Sequence, residues 1–161
     1  SCALPMRAQA WPDSPSEKRA RMQVQFTIPE MHAFLEDVFP QLGHRFEVLE
    51  LVPHGARVRM QMGEADLRPG GTVSGPAIFT LADCAFYIAT LGMIGREALT
   101  VTTGCNIDFM RKAEAGALEG EARILKLGRS LCVGDVLITA PDIDGPVARA
   151  SLTYAIPPKR T

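Results

Sequence analysis

One carboxylate stands alone in the most apolar stretch of the sequence. Asp83 is the only formal charge between Arg68 and Arg96, and the residues around it are almost all apolar or small. A carboxylate removed from water must be hydrogen-bonded, paired with a cation or kept protonated. Asp83 is therefore either a structural group that ties down a neighbour such as Thr80 or Tyr87, or a general base or nucleophile at a functional site.

The residues before Asp83 could supply a second reactive group. Gly75 and Pro76 suit the first turn of a helix, where unpaired N–H groups can stabilise a developing oxyanion or bind an anion. An ordinary capped turn is the alternative for so glycine-rich a loop. Gly75 precedes Asp83 by eight residues, which corresponds to roughly 12 Å of helix rise. The two groups can therefore serve one reacting carbon only if the chain bends before the helix begins or a second subunit supplies one of them.

The elements that must position these residues follow from hydrophobic periodicity. Residues from Ala77 to Ile94 are apolar on nearly every side at helical spacing, which predicts one long buried helix. This run approaches the length of a membrane span, but the charge of Asp83 near its middle favours the core of a soluble domain. A shorter helix is predicted between Pro29 and Pro40. Strands are predicted over residues 46–52, 57–62, 99–109, 118–127, 131–139 and 147–156.

The short connections between the last four predicted strands favour antiparallel neighbours, because parallel strands need long crossovers. The predicted fold class is therefore α+β, with one antiparallel sheet of about six strands wrapped around one long central helix. The 161 residues fit a single domain, predicted over residues 23–161. A loose, proline-punctuated arm is predicted for residues 1–22.

Composition and charge exclude several classes of protein. The chain has 17 Lys and Arg against 18 Asp and Glu, so it lacks the basic excess of a nucleic-acid-binding protein. Its first residues lack the apolar segment of a signal peptide, and its four cysteines are widely spaced, which together predict a cytoplasmic protein. The three histidines are scattered, so neither a metal site nor a cofactor is predicted.

Two segments carry a resemblance to a known family. The sequence GTVSGP at residues 71–76 leads into LAD at residues 81–83, and the strand VTTGCNIDFMRK follows at residues 101–112. This pattern resembles the acyl-CoA thioesterases of the hotdog fold, and in particular the branch typified by the phenylacetate-degradation thioesterases. The usual pattern there is G-x-x-H-G-G, then L-x-D on the helix, then a strand ending N-I-x-F-x-R. The resemblance runs from about residue 45 to residue 157.

The resemblance implies a role for three residues. Asp83 matches the catalytic carboxylate, which activates water or attacks the thioester, and Gly75 matches the glycine whose backbone N–H polarises the thioester carbonyl. Thr102 falls where some relatives place a hydroxyl that orients the attacking water. The resemblance also implies a homodimer or a dimer of dimers, in which the loop glycine of one subunit faces the carboxylate of the other.

The chain departs from the family pattern around the loop. Ser74-Gly75-Pro76 replaces His-Gly-Gly, which removes an imidazole and one backbone donor, and Arg68 stands where some relatives carry an amide side chain. We expect Ser74 and Arg68 to contact the substrate in place of those groups. Cations at predicted strand ends could meet the phosphates of coenzyme A, although solvated turn charges are the alternative for each; they are Arg111, Lys112, Lys126 and Arg129.

The resemblance therefore predicts an acyl-CoA thioesterase that hydrolyses an acyl- or aryl-CoA without a cofactor or a metal. A non-catalytic acyl-CoA-binding protein of the same fold, with a weakened loop, is the alternative. A hotdog dehydratase or hydratase is disfavoured because those relatives pair an aspartate with a nearby histidine, and no histidine follows His54. The sequence does not reveal the acyl group.

Overall fold

Eight helices and strands follow one another along the chain in the computed structural model, which describes Pro15 and residues 23–158. The arm predicted for residues 1–22 lies outside the described residues except for Pro15. Two 3-10 turns, Gly43–Arg45 and Glu64–Asp66, complete the order. The elements are α1 (Ile28–Val38), β1 (Phe46–Val52), β2 (Gly55–Met62), α2 (Gly75–Ile94), β3 (Val101–Phe109), β4 (Gly116–Leu127), β5 (Leu131–Thr139) and β6 (Ala148–Ala155).

The six strands form one sheet in the order β1-β2-β4-β5-β6-β3, and every neighbouring pair is antiparallel. The predicted α+β architecture is confirmed. β3 lies at an edge of the sheet, although it precedes β4 in sequence, because β6 is the strand it pairs with. β3 begins two residues later than predicted, because Leu99 belongs to a turn that the amide of Thr100 closes onto the carbonyl of Glu97.

The central helix α2 forms where the sequence predicts it. Ser74 caps its N-terminus, with the side chain accepting a hydrogen bond from the amide of Ala77, and Gly95 ends it with a φ of 91°. By length and composition this helix could cross a membrane, but 72% of its most apolar window is buried within the protein. It is therefore the core helix around which the sheet packs.

Small residues let the sheet approach α2 closely. Gly120 of β4 faces the helix, and a Cβ atom at that position would lie 3.3 Å from the Cβ of Ala85. Helix α1 covers the end of this core with Met31 and Leu35, both buried. Its N-terminus is fixed by a capping box in which Thr27 and Glu30 exchange hydrogen bonds.

Candidate active site

The carboxylate of Asp83 is held by two hydroxyl groups. The hydroxyl of Thr102 on β3 donates to Oδ1 at 2.6 Å, and the hydroxyl of Tyr154 on β6 lies 2.7 Å from the same oxygen. The Tyr154 hydroxyl is also 2.8 Å from the backbone carbonyl oxygen of Asp83. The side chain is half-buried rather than fully enclosed. The two strands at one side of the sheet therefore fix the orientation of this carboxylate on the helix.

The second oxygen of Asp83 differs from the first. Within the described residues 23–158, Oδ2 accepts no hydrogen bond. Burial, and next the negative charge of Asp83, raise the pKa of Tyr154 far above its usual range. Tyr154 therefore stays protonated and can donate to Oδ1, so Oδ1 is occupied while Oδ2 is left for a water molecule or a substrate atom.

Thr80 and Tyr87, the neighbours that a purely structural role for Asp83 was predicted to involve, are not its hydrogen-bond partners. The Thr80 hydroxyl donates to the carbonyl of Pro76 at 2.9 Å, one turn back along α2. The Tyr87 hydroxyl donates to the carbonyl of Ala98 at 2.9 Å. Both side chains satisfy backbone groups of their own neighbourhood, so neither of them contacts the carboxylate.

Tyr154 is the site residue that sequence reasoning missed. It lies 71 residues from Asp83 in the chain, so no local motif links the two. One signal was present: along β6 the buried positions alternate, and Tyr154 is the polar side chain among them, after Ala148, Ala150 and Leu152. A buried tyrosine hydroxyl needs a hydrogen-bond partner. The helix-facing side of the last strand was therefore the place to look for a partner of Asp83.

The first turn of α2 leaves one backbone donor unpaired. Pro76 has no N–H, the amide of Ala77 donates to the Ser74 hydroxyl at 3.3 Å, and the amide of Ile78 donates to the Ser74 carbonyl at 3.1 Å. Among the described residues the amide of Gly75 has no acceptor. The positive end of the helix dipole and this single N–H together can bind a carbonyl oxygen or an oxyanion.

Ser74 therefore has a structural role as the N-cap of α2, and its predicted contact with the substrate stays a prediction. Its Oγ accepts from the amide of Ala77, but the hydroxyl proton remains able to donate.

A cavity of about 420 Å³ opens beside Gly75. It brings together two predicted binding residues, Arg68 and Arg111, with a third cation, Lys112. The ring of Phe109 lies against Gly75, where an added Cβ atom would be 3.3 Å from Cζ. The remaining lining residues are Thr72, Val73, Ile78 and Met110. The cavity thus combines an apolar wall, an amide donor and a cationic rim.

Arg111 is held in a defined position at this rim. Its guanidinium donates to the carbonyl of Pro146 at 2.8 Å. It also lies across Gly145, where a Cβ atom would be 2.9 Å from the guanidinium carbon and where φ is 89°. Arg111 itself follows β3, and its guanidinium is held against the β5–β6 connection beside the cavity.

Arg129 lies away from this cavity. It is exposed in the turn between β4 and β5. The strand register places the neighbouring Leu131 opposite Ala155, and Ala155 opposite Val101, at the start of β3. Phe109, which lines the cavity, is at the other end of β3. Arg129 is therefore not among the cations that line this cavity, and its contact with coenzyme A stays a prediction.

Cys84 is not arranged as a nucleophile. It is buried, and burial together with the adjacent charge of Asp83 raises the pKa of its thiol to about 12. Only the thiolate is an effective nucleophile, so this side chain belongs to the core. Within residues 23–158, no three His, Cys, Asp or Glu side chains converge as metal ligands.

Comparison with known proteins identifies the family. The family model of the thioesterase superfamily matches residues 70–147, a span that includes Gly75 and Asp83. The structure of a candidate thioesterase from Silicibacter sp. TM1040 is 48% identical in sequence, covers 86% of this chain and 96% of its own, and superposes with a TM-score of 0.78. The chain belongs to the thioesterase superfamily.

Two further solved structures share less of the sequence. A mutant form of a phenylacetic acid degradation protein from Thermus thermophilus is 27% identical over 73% of this chain and 98% of its own, with a TM-score of 0.64. Thioesterase superfamily member 2 from zebrafish is 23% identical over 83% of this chain and 100% of its own, with a TM-score of 0.73, and at that identity shows the fold alone. No curated protein sequence matches the chain. The resemblance to the hotdog thioesterases, including the phenylacetate-degradation branch, is confirmed.

Proposed function

We propose that this protein hydrolyses the thioester of an acyl- or aryl-CoA to a free acid and coenzyme A. The observation that carries the proposal is the asymmetry of the Asp83 carboxylate. Two hydroxyl groups hold Oδ1, while Oδ2 has no partner within the described residues. A carboxylate that is fixed in orientation and has one open oxygen is suited to act on water or on an acyl carbon.

In the first route Asp83 is a general base. Oδ2 takes a proton from a water molecule as the water oxygen attacks the thioester carbon, and the carbonyl becomes an oxyanion that the Gly75 N–H stabilises. The tetrahedral species then collapses, the C–S bond breaks, and the departing thiolate receives the proton held by Asp83. In the second route Oδ2 itself attacks the carbon and expels the thiolate, and water then cleaves the acyl-Asp83 anhydride. Both routes consume one water molecule.

The proposal includes a homodimer in which one subunit supplies Gly75 and its partner supplies Asp83. Both residues lie on the unbroken helix α2, so they are separated by roughly 12 Å of helix rise. Because the helix already begins at Gly75, a bend before the helix cannot bring them together. A second copy of the chain is the remaining way to place both groups at one carbon.

The edge strand β3 supports this arrangement. Most of its residues are exposed on both faces, unlike those of β5 and β6. Large exposed apolar side chains lie at its two ends, Val101 and Phe109 within the strand and Leu99 and Met110 just outside it. An exposed edge strand is a surface that a second strand pairs with readily. The proposed assembly is a homodimer joined along β3, or a dimer of such dimers.

The rim of the cavity supports an anionic substrate. Arg68, Arg111 and Lys112 line the space beside Gly75, and the phosphates of coenzyme A are the anions that a CoA thioester carries. We place the protein in the cytoplasm, where CoA thioesters are available. The acyl group is left to experiment.

The test is thiol release from a panel of short, medium and aryl acyl-CoA esters, measured for the wild type and Asp83→Asn. We expect the substitution to lower kcat by at least about 100-fold, because it removes the base or nucleophile without changing shape. Asp135→Asn, at a carboxylate on the outer face of β5 that pairs with Arg123, is the matched control and should keep full activity. Equal rates for the wild type and Asp83→Asn would show that Asp83 does not carry the reaction.

A non-catalytic acyl-CoA-binding protein is the second candidate, and the loop favours it. With serine at position 74 and proline at position 76, only the amide of Gly75 remains unpaired among the described residues of that turn. A single donor gives less oxyanion stabilisation than two. Calorimetry separates the two functions: tight binding of an acyl-CoA without thiol release from any ester in the panel identifies the binding protein.

A further inference from the structure

The loop that presents Gly75 has few apolar anchors. It runs over residues 63–74 between β2 and α2, and within it Val73 is the buried side chain. The remaining residues are exposed or half-buried, and the loop includes Gly70 and Gly71, both with positive φ. Leu67 packs half-buried against the core, so Val73 and Leu67 are the apolar contacts of the loop, and polar interactions must contribute to holding the rest in place.

One ion pair ties this loop to the sheet. The guanidinium of Arg45 donates to both oxygens of Asp66, at 3.0 and 2.6 Å, and also to the carbonyl of Gln61 in β2, at 3.0 Å. The Asp66 carboxylate accepts a further hydrogen bond from the amide of Gly63 at 2.9 Å. The Asp66 side chain is only 11% exposed. A bidentate pair of this kind fixes both distance and angle.

Asp66 is also hydrogen-bonded to Ser74, the N-cap of α2. The backbone carbonyl of Asp66 accepts a hydrogen bond from the amide of Ser74 at 2.8 Å, and Val73 donates to the carbonyl of Ala113 at 2.8 Å. The peptide that carries the Gly75 N–H begins at Ser74. Arg45 holds Asp66, and Asp66 holds Ser74. The position of Ser74 in turn sets the direction of the Gly75 N–H.

We propose that Arg45 and Asp66 are positioning residues for the Gly75 N–H, an inference that rests on the proposed thioester hydrolysis. An oxyanion donor is effective only when it points at the place where charge develops, and a displacement of about 1 Å can lower the rate about 100-fold. Neither Arg45 nor Asp66 lines the cavity, and neither is hydrogen-bonded to Asp83. Its loss should therefore impair the chemical step more than substrate binding.

The charges of the pair suit a permanent anchor. The hydrogen bonds from Arg45 hold the pKa of Asp66 below its ordinary value, and the amide of Gly63 acts in the same direction. Asp66 therefore remains ionised, and bonded to Arg45, throughout the neutral range.

The test compares Asp66→Asn and Arg45→Lys with the wild type in kcat and KM for thiol release. Asparagine cannot accept both guanidinium bonds, and lysine keeps the charge but lacks the planar fork. We expect kcat to fall by about 10-fold or more in each, with KM within about threefold, because the substrate-contacting cations are unchanged. Arg123→Lys and Asp135→Asn make the same two changes in the pair that joins β4 to β5, and they should leave both constants unchanged.

Combining Asp66→Asn with a Gly75 variant shows whether Arg45 and Asp66 act through the Gly75 N–H. Gly75→Pro deletes the N–H at the first helical position, where proline is accepted. In that background Asp66→Asn should lower kcat no further, because the donor it orients is gone. An equal additional loss in both backgrounds, or a rise in KM with unchanged kcat, would overturn the inference.

Hydrogen exchange separates this inference from the proposed function. In Asp66→Asn the amides of Val73 and Ser74, which are hydrogen-bonded in the wild type, should exchange at least about 10-fold faster, while those in the middle of α2 stay as protected as in Asp135→Asn. If the wild type releases no thiol, the proposed function fails. Unchanged exchange at Val73 and Ser74 would separately reject the anchoring by Arg45 and Asp66.

Discussion

At the scale of single residues, the proposed chemistry depends on the different surroundings of the two oxygens of Asp83. Oδ1 receives the hydroxyls of Thr102 and Tyr154, and the backbone carbonyl of Asp83 shares the second of them. The tyrosine thus bonds the side chain and the main chain of one residue at once. Rotation of the carboxylate would break these bonds, so the open oxygen keeps one direction.

Tyr154→Phe tests this orientation. We expect kcat to fall by about 10-fold, because Oδ1 loses one donor and the carboxylate gains freedom. The matched control is Tyr87→Phe, since the chain has two tyrosines and the hydroxyl of Tyr87 bonds the carbonyl of Ala98 instead. Both changes should cost about 1 kcal/mol of stability to urea unfolding, but only the first should reduce thiol release. Equal activity losses would show that the hydroxyl of Tyr154 has no special relation to the reaction.

The buried thiol beside the carboxylate gives a second prediction. With a pKa of about 12, Cys84 is a thiolate in roughly one molecule in ten thousand at pH 8. Iodoacetamide should therefore leave Cys84 unmodified in the folded protein and modify it fully in 8 M urea, as followed by mass spectrometry of peptides. Because the pKa is raised, reaction in the folded state should increase as the pH rises toward 12. Rapid modification at pH 8 would show that the helix opens at this point.

The sequence revealed those site residues that stand out against their immediate neighbours in the chain. Asp83 was found because it is an isolated charge, and Gly75 because it begins a helix. Tyr154 and the pair of Arg45 with Asp66 were not, because their partners lie 71 and 21 residues away. Contacts at such separations depend on strand order and register, which the residue pattern alone does not determine.

The type and length of the helices and strands were predicted more fully than the order in which the strands pair. Strand β5 has the predicted bounds, and α2 and β6 differ from theirs by two residues or fewer at each end. The alternation of apolar residues determines the bounds of β5 and β6 because each of these two strands has one buried face. The position of β3 at the edge was not predicted, because pairing with β6 depends on a connection that spans two other strands.

Close packing between elements makes one glycine of β5 indispensable for stability. A Cβ atom at Gly134 would lie 2.1 Å from the backbone oxygen of Arg123 and 2.5 Å from the ring of Phe86 on α2. We expect Gly134→Ala to lower the free energy of unfolding by about 3 kcal/mol, because backbone and helix must both move. Gly63→Ala is the control, since nothing lies within 4 Å of its added Cβ, and it should change stability by less than about 1 kcal/mol. Urea titrations at one protein concentration measure the free energy of unfolding of both variants. A loss for Gly134→Ala no larger than that for Gly63→Ala would contradict the prediction.

At the scale of the whole molecule, the prediction concerns assembly. Cys105 is the fifth of nine residues in the exposed edge strand β3, so a symmetric dimer formed along that strand brings its two copies near the axis. Cys105→Glu should convert the proposed dimer to a folded monomer, because two carboxylates would then repel each other. Light scattering should show the change of mass, and thiol release should fall at least about 10-fold.

Leu137→Glu is the control for this prediction, because it adds the same charge at an exposed position on β5. It should leave the dimer and its activity in place. A monomeric Cys105→Glu protein that hydrolyses thioesters at the wild-type rate would show that one chain contains the complete site.

The position of β3 has a consequence for the order in which the protein is made. Its neighbour in the sheet, β6, is the last strand of the fold, and the two hydroxyls that hold Asp83 come from these two strands. A growing chain on the ribosome therefore carries β3 without a partner until residues 148–155 have emerged. A chain that stops before residue 148 should retain much of α2 but have no fixed carboxylate. Such a fragment would expose an apolar strand edge for chaperones and proteases to bind.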